Sequence, residues 1–447
     1  MSRLVLVADT VYTGDDHGTE LDRGVVEIVD GRIAHVGPVV GAVPRGADVV
    51  DLGAQVLLPG LVNAHTHTPM TLFRGIAEGA SLLTMQGWKE RIRSLEDHLD
   101  PAMMPAAVEV ACAEMIESGT TFFADQYFGV EHYRHVVQRS GLRAELAYGI
   151  VELGDDAARE SSLAAAERFL DSAPLDPLIG GWVGPHFLFV DNQLDAIQAE
   201  TAMATAYGVG LHTHFATTGD EDALCRERFG MSALRMMERL GVLDRRVILA
   251  HANLIDIDEL DLLAGRPITL VAAPSVAMTS GAPVTPVRAA LDAGVNVALG
   301  TDNVCNSNGF DLFEEMRALG RAASLTARRP GVLSPRELLG IATWRGHRAL
   351  TGGDLAGDGR IAEGGVADLV ALPVRALRRG PRRAQSLESA LVYGAQGPAS
   401  STVLVGGRFL KRDGELTTLD PAEAIDACET HFDRLLRQAA PTSAVAI

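Results

Sequence analysis

The sequence predicts an α/β architecture: a (β/α)8 barrel of the TIM type, with a small β-sandwich domain built from both chain ends. Three observations carry this. Eight short apolar runs alternate with helical stretches through the middle of the chain. Strand-and-turn patterns with a different rhythm occupy both ends. Polar residues, histidine above all, fall at the C-terminal ends of the apolar runs, which in a barrel is the active-site face.

Taken in order, Leu4–Val7, Gly24–Val29 and Arg32–Val36 read as strands, with Asp30-Gly31 as the hairpin turn between the last two. The eight barrel strands follow: Leu61–Ala64, Thr120–Ala124, Arg143–Val151, Leu178–Val183, Val209–Leu211, Val247–Ala250, Ile268–Ala272 and Val295–Gly300. One intervening helix, Ala106–Ser118, stops at Gly119, a normal C-cap. Ala367–Leu372 and Ser401–Val405 return to strand, with Gly406-Gly407 as another hairpin turn. The expected division is 1–57 and 354–447 for the β domain, the latter with a C-terminal helix, and 58–353 for the barrel. A doubly wound sheet would want a glycine-rich phosphate turn after its first strand, and none is present.

The 447 residues are 47% hydrophobic, enough for a sizeable core, and carry a formal net charge of −19. That balance disfavours nucleic acid, whose phosphates need clustered Lys and Arg, and suits a small neutral or cationic substrate. Four cysteines lie far apart without a CxxC, which points to a reducing cytoplasmic setting and not to a disulfide framework. The P-C-x-x-C pattern of cysteine-ligated zinc deaminases is absent. No apolar run is long enough to span a membrane, and no leader pattern is expected.

The chemistry collects at the strand ends. His65 and His67 close the first strand, and side chains at i and i+2 share one face. Asp125 follows the second strand, His186 the fourth, His212 and His214 the fifth, His251 the sixth and Asp302 the eighth. Histidines scattered through a core would not sort this way. A metal hydrolase needs about three protein ligands, an open position for water and a base. His65, His67 and His214 can supply nitrogens, and Asp302 a carboxylate that ligates or takes a proton. His251 can hydrogen-bond a developing oxyanion. His212 points away from His214 by strand alternation and reads as structural. Asp125 reads equally as a ligand-orienting group and as an ordinary rim carboxylate.

These motifs together resemble the amidohydrolase superfamily, in the branch of cytosine and guanine deaminases, adenosylhomocysteine/methylthioadenosine deaminases and triazine hydrolases. The resemblance runs through Pro59-Gly60-Leu61-Val62-Asn63-Ala64-His65-Thr66-His67, Arg74-Gly75, Glu114–Thr121 and Gly184-Pro185-His186. It continues through His214, His251, Gly300-Thr301-Asp302, Asp311–Met316 and Glu363–Val370, nearly the whole chain. It implies a barrel with a β-sandwich, and a metal held by His65, His67, His214 and Asp302. It assigns His251 and Asp302 to catalysis and places His186 near the substrate. The binuclear branches bridge two metals with a carboxylated lysine. Here the only lysines are Lys89 and Lys411, so one divalent ion is expected, zinc or iron(II). Relatives are often dimers or larger, so a homo-oligomer is expected.

Two departures fall on the substrate side. Deaminases of this branch carry a glutamate three residues after the strand-five histidine; here Thr217 stands there. A threonine hydroxyl can orient a group but is a poor general acid. After strand seven, Ala272-Ala273-Pro274-Ser275 replaces the usual polar run. The expected activity is therefore metal-dependent hydrolysis of a C–N bond in an amide, urea, carbamate or amino-heterocycle. The alternatives are deamination of a purine, pyrimidine, pterin or triazine-like ring despite Thr217, and a non-catalytic metal-binding relative. Further substrate contacts are expected from Glu96 and Arg74, where relatives place substrate-loop residues, although both read more plainly as solvated helix charges. Cys305 reads first as a small buried hydrophobe and second as a pocket-wall thiol. Trp88 and Met85 read as a lid over the pocket, and a helix core would show the same pattern.

Overall fold

The computed structural model describes residues 3–39, 48–172, 177–353, 359–377 and 385–439. Barrel strands β5 (Leu61–Thr66), β6 (Thr120–Tyr127), β7 (Arg143–Ile150), β8 (Ile179–Pro185), β9 (Leu211–Phe215), β10 (Val247–His251), β11 (Ile268–Ala272) and β12 (Asn296–Leu299) follow β1 to β4 of the first domain. These are β1 (Arg3–Tyr12), β2 (Glu20–Val29), β3 (Arg32–Pro38) and β4 (Asp48–Pro59). The chain returns through β13 (Leu369–Pro373), β14 (Thr402–Val405), β15 (Arg408–Arg412) and β16 (Glu415–Leu416). The expected boundary at residue 354 lies outside the described residues.

The two ends share one mixed sheet, ordered β16-β15-β14-β13-β4-β1-β2-β3, with β1 and β4 parallel. Its hairpins form where the turn chemistry demands. Asp30 and Gly31 both take positive φ, as do Gly406 and Gly407, and each pair joins antiparallel strands across two residues. Paired positive φ gives the turn whose twist matches its strands. Leu6, Val26, Ile28, Leu57 and Leu369 fill the sheet's own core.

β5 to β12 are all parallel and hydrogen-bonded in sequence order. Such strands are covered on both faces, which is why they read as apolar runs without alternation. Val62, Ala64, Phe122, Ala147, Trp182, Ile248, Val271 and Ala298 meet inside the barrel, and Ala349 and Leu350 join them from the helix Trp344–Thr351. That helix plugs the end opposite the strand-end histidines. Most strand boundaries shift by a residue or two from the sequence reading, and two of the shifts bear on the site. β6 runs on to Tyr127, so Asp125 lies within it. β9 begins at Leu211 and carries both His212 and His214 inside the strand.

The seam between the first and last strands closes the barrel. The Asn63 amide donates to Thr301 Oγ1 at 2.8 Å and its carbonyl accepts from the Thr301 amide at 3.1 Å. The Asp302 amide donates to the His65 carbonyl at 3.0 Å. Gly300 makes this approach possible, because a Cβ there would lie 2.8 Å from the His65 carbonyl oxygen and 3.0 Å from its nitrogen. Backbone cannot yield as a side-chain tip can.

Behind the seam, Asp311 caps the helix Leu312–Thr326 by accepting from the Phe313 amide at 2.8 Å. Four residues on, buried Glu315 accepts from the Ser275 amide at 3.0 Å and holds the turn after β11. Burial pushes the Glu315 carboxyl up to about 8, against the lowering by its Ser275 hydrogen bonds. The folded protein thus keeps a proton that the unfolded chain releases above its ordinary 4.5. The associated stability is complete below that value and is lost as pH rises through about 8. Glu315→Gln should therefore flatten the fall in melting temperature between these two pH values. Parallel melting profiles for the two proteins would contradict this.

Candidate metal centre

At the C-terminal ends of the strands, one ligand atom from each of His65, His67, His214 and Asp302 lies within 4.8 Å of the others, and all four residues are buried. His67 Nε2 is 3.1 Å from Asp302 Oδ1 and 3.2 Å from His214 Nε2, and His65 Nε2 is 3.3 Å from Asp302 Oδ1. Ligand atoms around a tetrahedral ion with bonds of about 2.0–2.1 Å stand roughly 3.3 Å apart.

The second nitrogen of each ring explains the orientation. His67 Nδ1 donates to the Gln126 carbonyl at 2.6 Å, and His214 Nδ1 to the His186 carbonyl at 3.0 Å. A carbonyl accepts only, so each ring carries its proton on Nδ1 and turns a lone pair on Nε2 toward the cluster. His65 Nδ1 meets His212 Nε2 at 2.7 Å, and its own Nε2 is buried without a hydrogen-bond partner. His212 is thus structural, as expected, but through direct support of a cluster member. Gln126 adds a brace, donating to the carbonyls of Pro185 at 2.8 Å and His212 at 2.7 Å.

Electrostatics favour the ligating protonation states. Burial drives His65 down to about 4 and holds His214, His212 and His251 below the ordinary imidazole range. Burial alone would raise Asp302, but His251, His65 and His67 hold it well below the ordinary carboxylate range. His67 is the exception. Burial lowers it, and the Asp302 carboxylate overcomes that and raises it. An ionised aspartate beside three buried imidazoles, two of whose Nε2 atoms face each other at 3.2 Å, is a site that a cation stabilises. The residues present fit a divalent metal.

His251 completes the centre. Its Nε2 lies 3.7 Å from Asp302 Oδ2, its ring stacks on His214 at 5.5 Å, and its Nδ1 is buried without a partner. His251 and Asp302 both take positive φ, at 73° and 57°, as does Ala216 at 50°. Left-handed backbone at non-glycine residues costs about 1–3 kcal/mol each and collects at functional sites. Thr285 Oγ1 donates to the His251 carbonyl at 2.5 Å and secures that strand end.

A cleft opens beside the cluster, lined by His67, His186, His214, His251 and Asp302 and walled by Leu82, Leu83, Trp88, Phe128 and Val151. Trp88 lies 4.6 Å from the His186 ring, in keeping with a lid. Asp191 Oδ2 accepts from His186 Nδ1 at 2.5 Å and fixes that ring. Glu96 is buried in the cleft wall, not solvated; Tyr127 donates to it at 2.7 Å, and Arg93 lies 3.9 Å away. Burial raises the Glu96 carboxyl above its ordinary range, although Tyr127 and Arg93 lower it.

Three expected contacts are not among the lining residues. Arg74 pairs with Glu114 at 2.8 Å and donates to the Asn308 carbonyl. Cys305 is a small buried hydrophobe. Thr217 is buried, and its hydroxyl donates to the Leu83 carbonyl at 2.9 Å, tying the loop after β9 to the lid segment. Asp125 accepts from the Thr68 amide and hydroxyl and from Tyr133, and so fixes the turn after His67. The sequence reading missed Gln126, Tyr127, Asp191 and Asn303, whose side-chain amide donates to Asp302 Oδ2 at 3.1 Å. Gln126 and Asn303 sit beside residues it had singled out; Asp191 lies in a loop that carried no signal.

A parallel barrel bearing this histidine and aspartate cluster at its strand ends defines a metal-dependent hydrolase. The comparisons agree. The model of the amidohydrolase family matches residues 56–410. A 5'-deoxyadenosine deaminase of Methanothermobacter thermautotrophicus is 34% identical over 91% of this chain and 93% of its own. A 5-methylthioadenosine/S-adenosylhomocysteine deaminase of Moorella thermoacetica is 35% identical over 91% of this chain and 94% of its own. The crystal structure of a zinc-bound adenosine deaminase from Xanthomonas campestris superposes with a TM-score of 0.88 at 29% identity, covering 98% of this chain and 99% of that one. The chain belongs to the amidohydrolase family and is a metal-dependent hydrolase acting on C–N bonds.

Because the seam sets the distance from His65 to Asp302, Gly300→Ala should weaken metal affinity about tenfold or more, the range seen when ligand support is disturbed. A chelator competition titration measures this, with circular dichroism to confirm the fold. Unchanged affinity in a folded variant would contradict the role given to Gly300.

Proposed function

We propose that the protein hydrolyses a C–N bond of a small amide, urea, carbamate or activated amino-heterocycle, using one zinc ion held by His65, His67, His214 and Asp302, and that position 217 supplies no proton. The observation that carries the reading is Thr217, whose hydroxyl is committed to the Leu83 carbonyl at 2.9 Å. A single ion is supported by the lysines. Lys411 Nζ is bound to the Glu117 carbonyl at 3.1 Å in the β domain, and Lys89 is exposed. Zinc is supported by the zinc-bound relative.

A divalent ion on this cluster would lower the pKa of a water toward neutrality. Asp302, ionised and beside His251, would take the proton of the attacking water. A ring N–H of His251 would donate to the oxyanion as the carbonyl or ring carbon becomes tetrahedral. His186, held by Asp191, and Trp88 would orient the substrate against the apolar wall. With no acid at position 217, the favoured substrates have leaving groups that need little protonation or carry their own proton.

A second reading, deamination of a purine-like ring, draws support from the deaminases at 34% and 35% identity. In that reading Glu96 is the donor. It and Asp302 are the two carboxyl groups among the cleft-lining residues, and burial favours its protonated form.

A substrate screen separates the two. Mass spectrometry over amides, ureas and carbamates should find turnover, while ammonia release from purines, pyrimidines, pterins and triazines should be weak. Thr217→Glu should raise ring deamination by about 10²-fold or more, the usual worth of a positioned acid. Efficient wild-type ring deamination, abolished by Glu96→Gln and not improved by Thr217→Glu, would overturn the first reading in favour of the second.

A further inference from the structure

The end of the barrel opposite the metal cluster holds a second cavity, of about 390 Å³. It opens where β10, β11 and β12 begin, with the plugging helix Trp344–Thr351 as its floor. Arg246, Arg266, Arg345 and Arg348 all line it, and among the described residues no aspartate or glutamate does. In a chain of net charge −19 this is an unusual concentration of positive charge.

The four arginines are not equally committed. Arg266 pairs with Glu238 at 2.6 Å and Asp244 at 2.9 Å. Among the described residues Arg246, Arg345 and Arg348 make no ion pair within 4 Å. The Arg345 guanidinium stacks over the Trp344 ring at 4.5 Å, and Arg246 over Trp182 at 5.2 Å. Stacking occupies the face of a guanidinium and leaves its N–H edge free, so these two forks are oriented before any ligand arrives. Arg246 spends one edge on the Leu350 carbonyl at 2.7 Å, and Arg345 makes a long contact to Asn296 Oδ1 at 3.4 Å. Burial and the neighbouring Arg348 lower Arg345, the mark of a positive charge short of compensation. Arg246 is partly offset by half-buried Glu145, which desolvation pushes up to about 7 and Arg246 lowers.

We propose that this cavity is a binding site for a phosphorylated small molecule, with Arg345 and Arg348 as the principal contacts to the phosphoryl group and Arg246 as a third. Guanidinium forks match phosphate oxygens bidentately, and a dianion suits several converging arginines better than a monoanion does. The volume falls in the range of about 300–1,000 Å³ usual for small-molecule sites and exceeds what a bare phosphate would fill. Trp344, half-buried in the wall and stacked by Arg345 and Arg360, can meet an organic part at its exposed edge. The site lies across the barrel interior from the metal cluster, so its ligand is not the substrate of the hydrolytic centre, and the inference stands apart from the reading of that centre.

Isothermal titration of the full-length, metal-loaded protein with phenyl phosphate and with inorganic phosphate, at constant ionic strength, tests this. Saturable binding of phenyl phosphate is expected, weakened tenfold or more by Arg348→Glu and by Arg345→Gln. Phenyl phosphate binding tighter than phosphate identifies an organic phosphate as the ligand class; equal binding identifies the free anion. Arg348 is exposed, so Arg348→Glu should fold even where Arg345→Gln does not. Absence of saturable binding to the wild type overturns the proposal. So does an unchanged affinity in Arg348→Glu, which would place the anion elsewhere, the metal centre included.

Discussion

The seam between β5 and β12 is the constraint on which the rest of the structure depends. Asn63 and Thr301 exchange two hydrogen bonds, Gly300 admits the His65 backbone where a Cβ would not fit, and the Asp302 amide donates to the His65 carbonyl. Closure is therefore what sets a carboxylate from the last strand about a hydrogen-bond length from two imidazoles of the first. Apolar strands supply the drive to close the barrel, and the polar seam fixes the register at which it closes. A buried imidazole without a partner on Nε2, as at His65, is costly in a dry interior, so the same closure builds a site that a cation stabilises.

The support around the cluster follows one rule. Each ligand nitrogen is free because the other nitrogen of its ring is occupied, by the Gln126 carbonyl, the His186 carbonyl or the His212 ring. Strain is placed where the chain must turn side chains inward, at His251 and Asp302. The substrate side obeys a different logic. Thr217 holds the segment through Leu83, and Glu96 with Tyr127 forms a polar pair in the cleft wall.

Much of this was legible in the sequence, and the limits have physical causes. Buried parallel strands need continuous apolar runs, so all eight were found, and Asp30-Gly31 gave its hairpin because two positive φ angles admit few residues. β4 went unread because Asp48–Gln55 is half exposed and interrupted by Gly53, and because its pairing with β1 joins distant residues. β9 was placed too early because His212-Thr213-His214 breaks the apolar pattern on which strand recognition relies. The metal set was readable because ligands cluster at strand ends. Glu96 could be named only by its place in the chain; its burial was not legible, since a glutamate among helical charges looks solvated until a tyrosine from β6 is brought against it. Asp191 and the Arg-lined cavity depend on loops and strand starts that meet only in three dimensions.

The central claim is that closing the barrel builds a single-metal site from His65, His67, His214 and Asp302. Metal analysis of the purified protein after exhaustive dialysis tests it most directly. The account predicts about one equivalent of a divalent transition metal per chain, lost in His67→Ala and in Asp302→Asn while both variants remain folded. A wild-type protein that retains no metal, or retention unchanged by both substitutions, would contradict it.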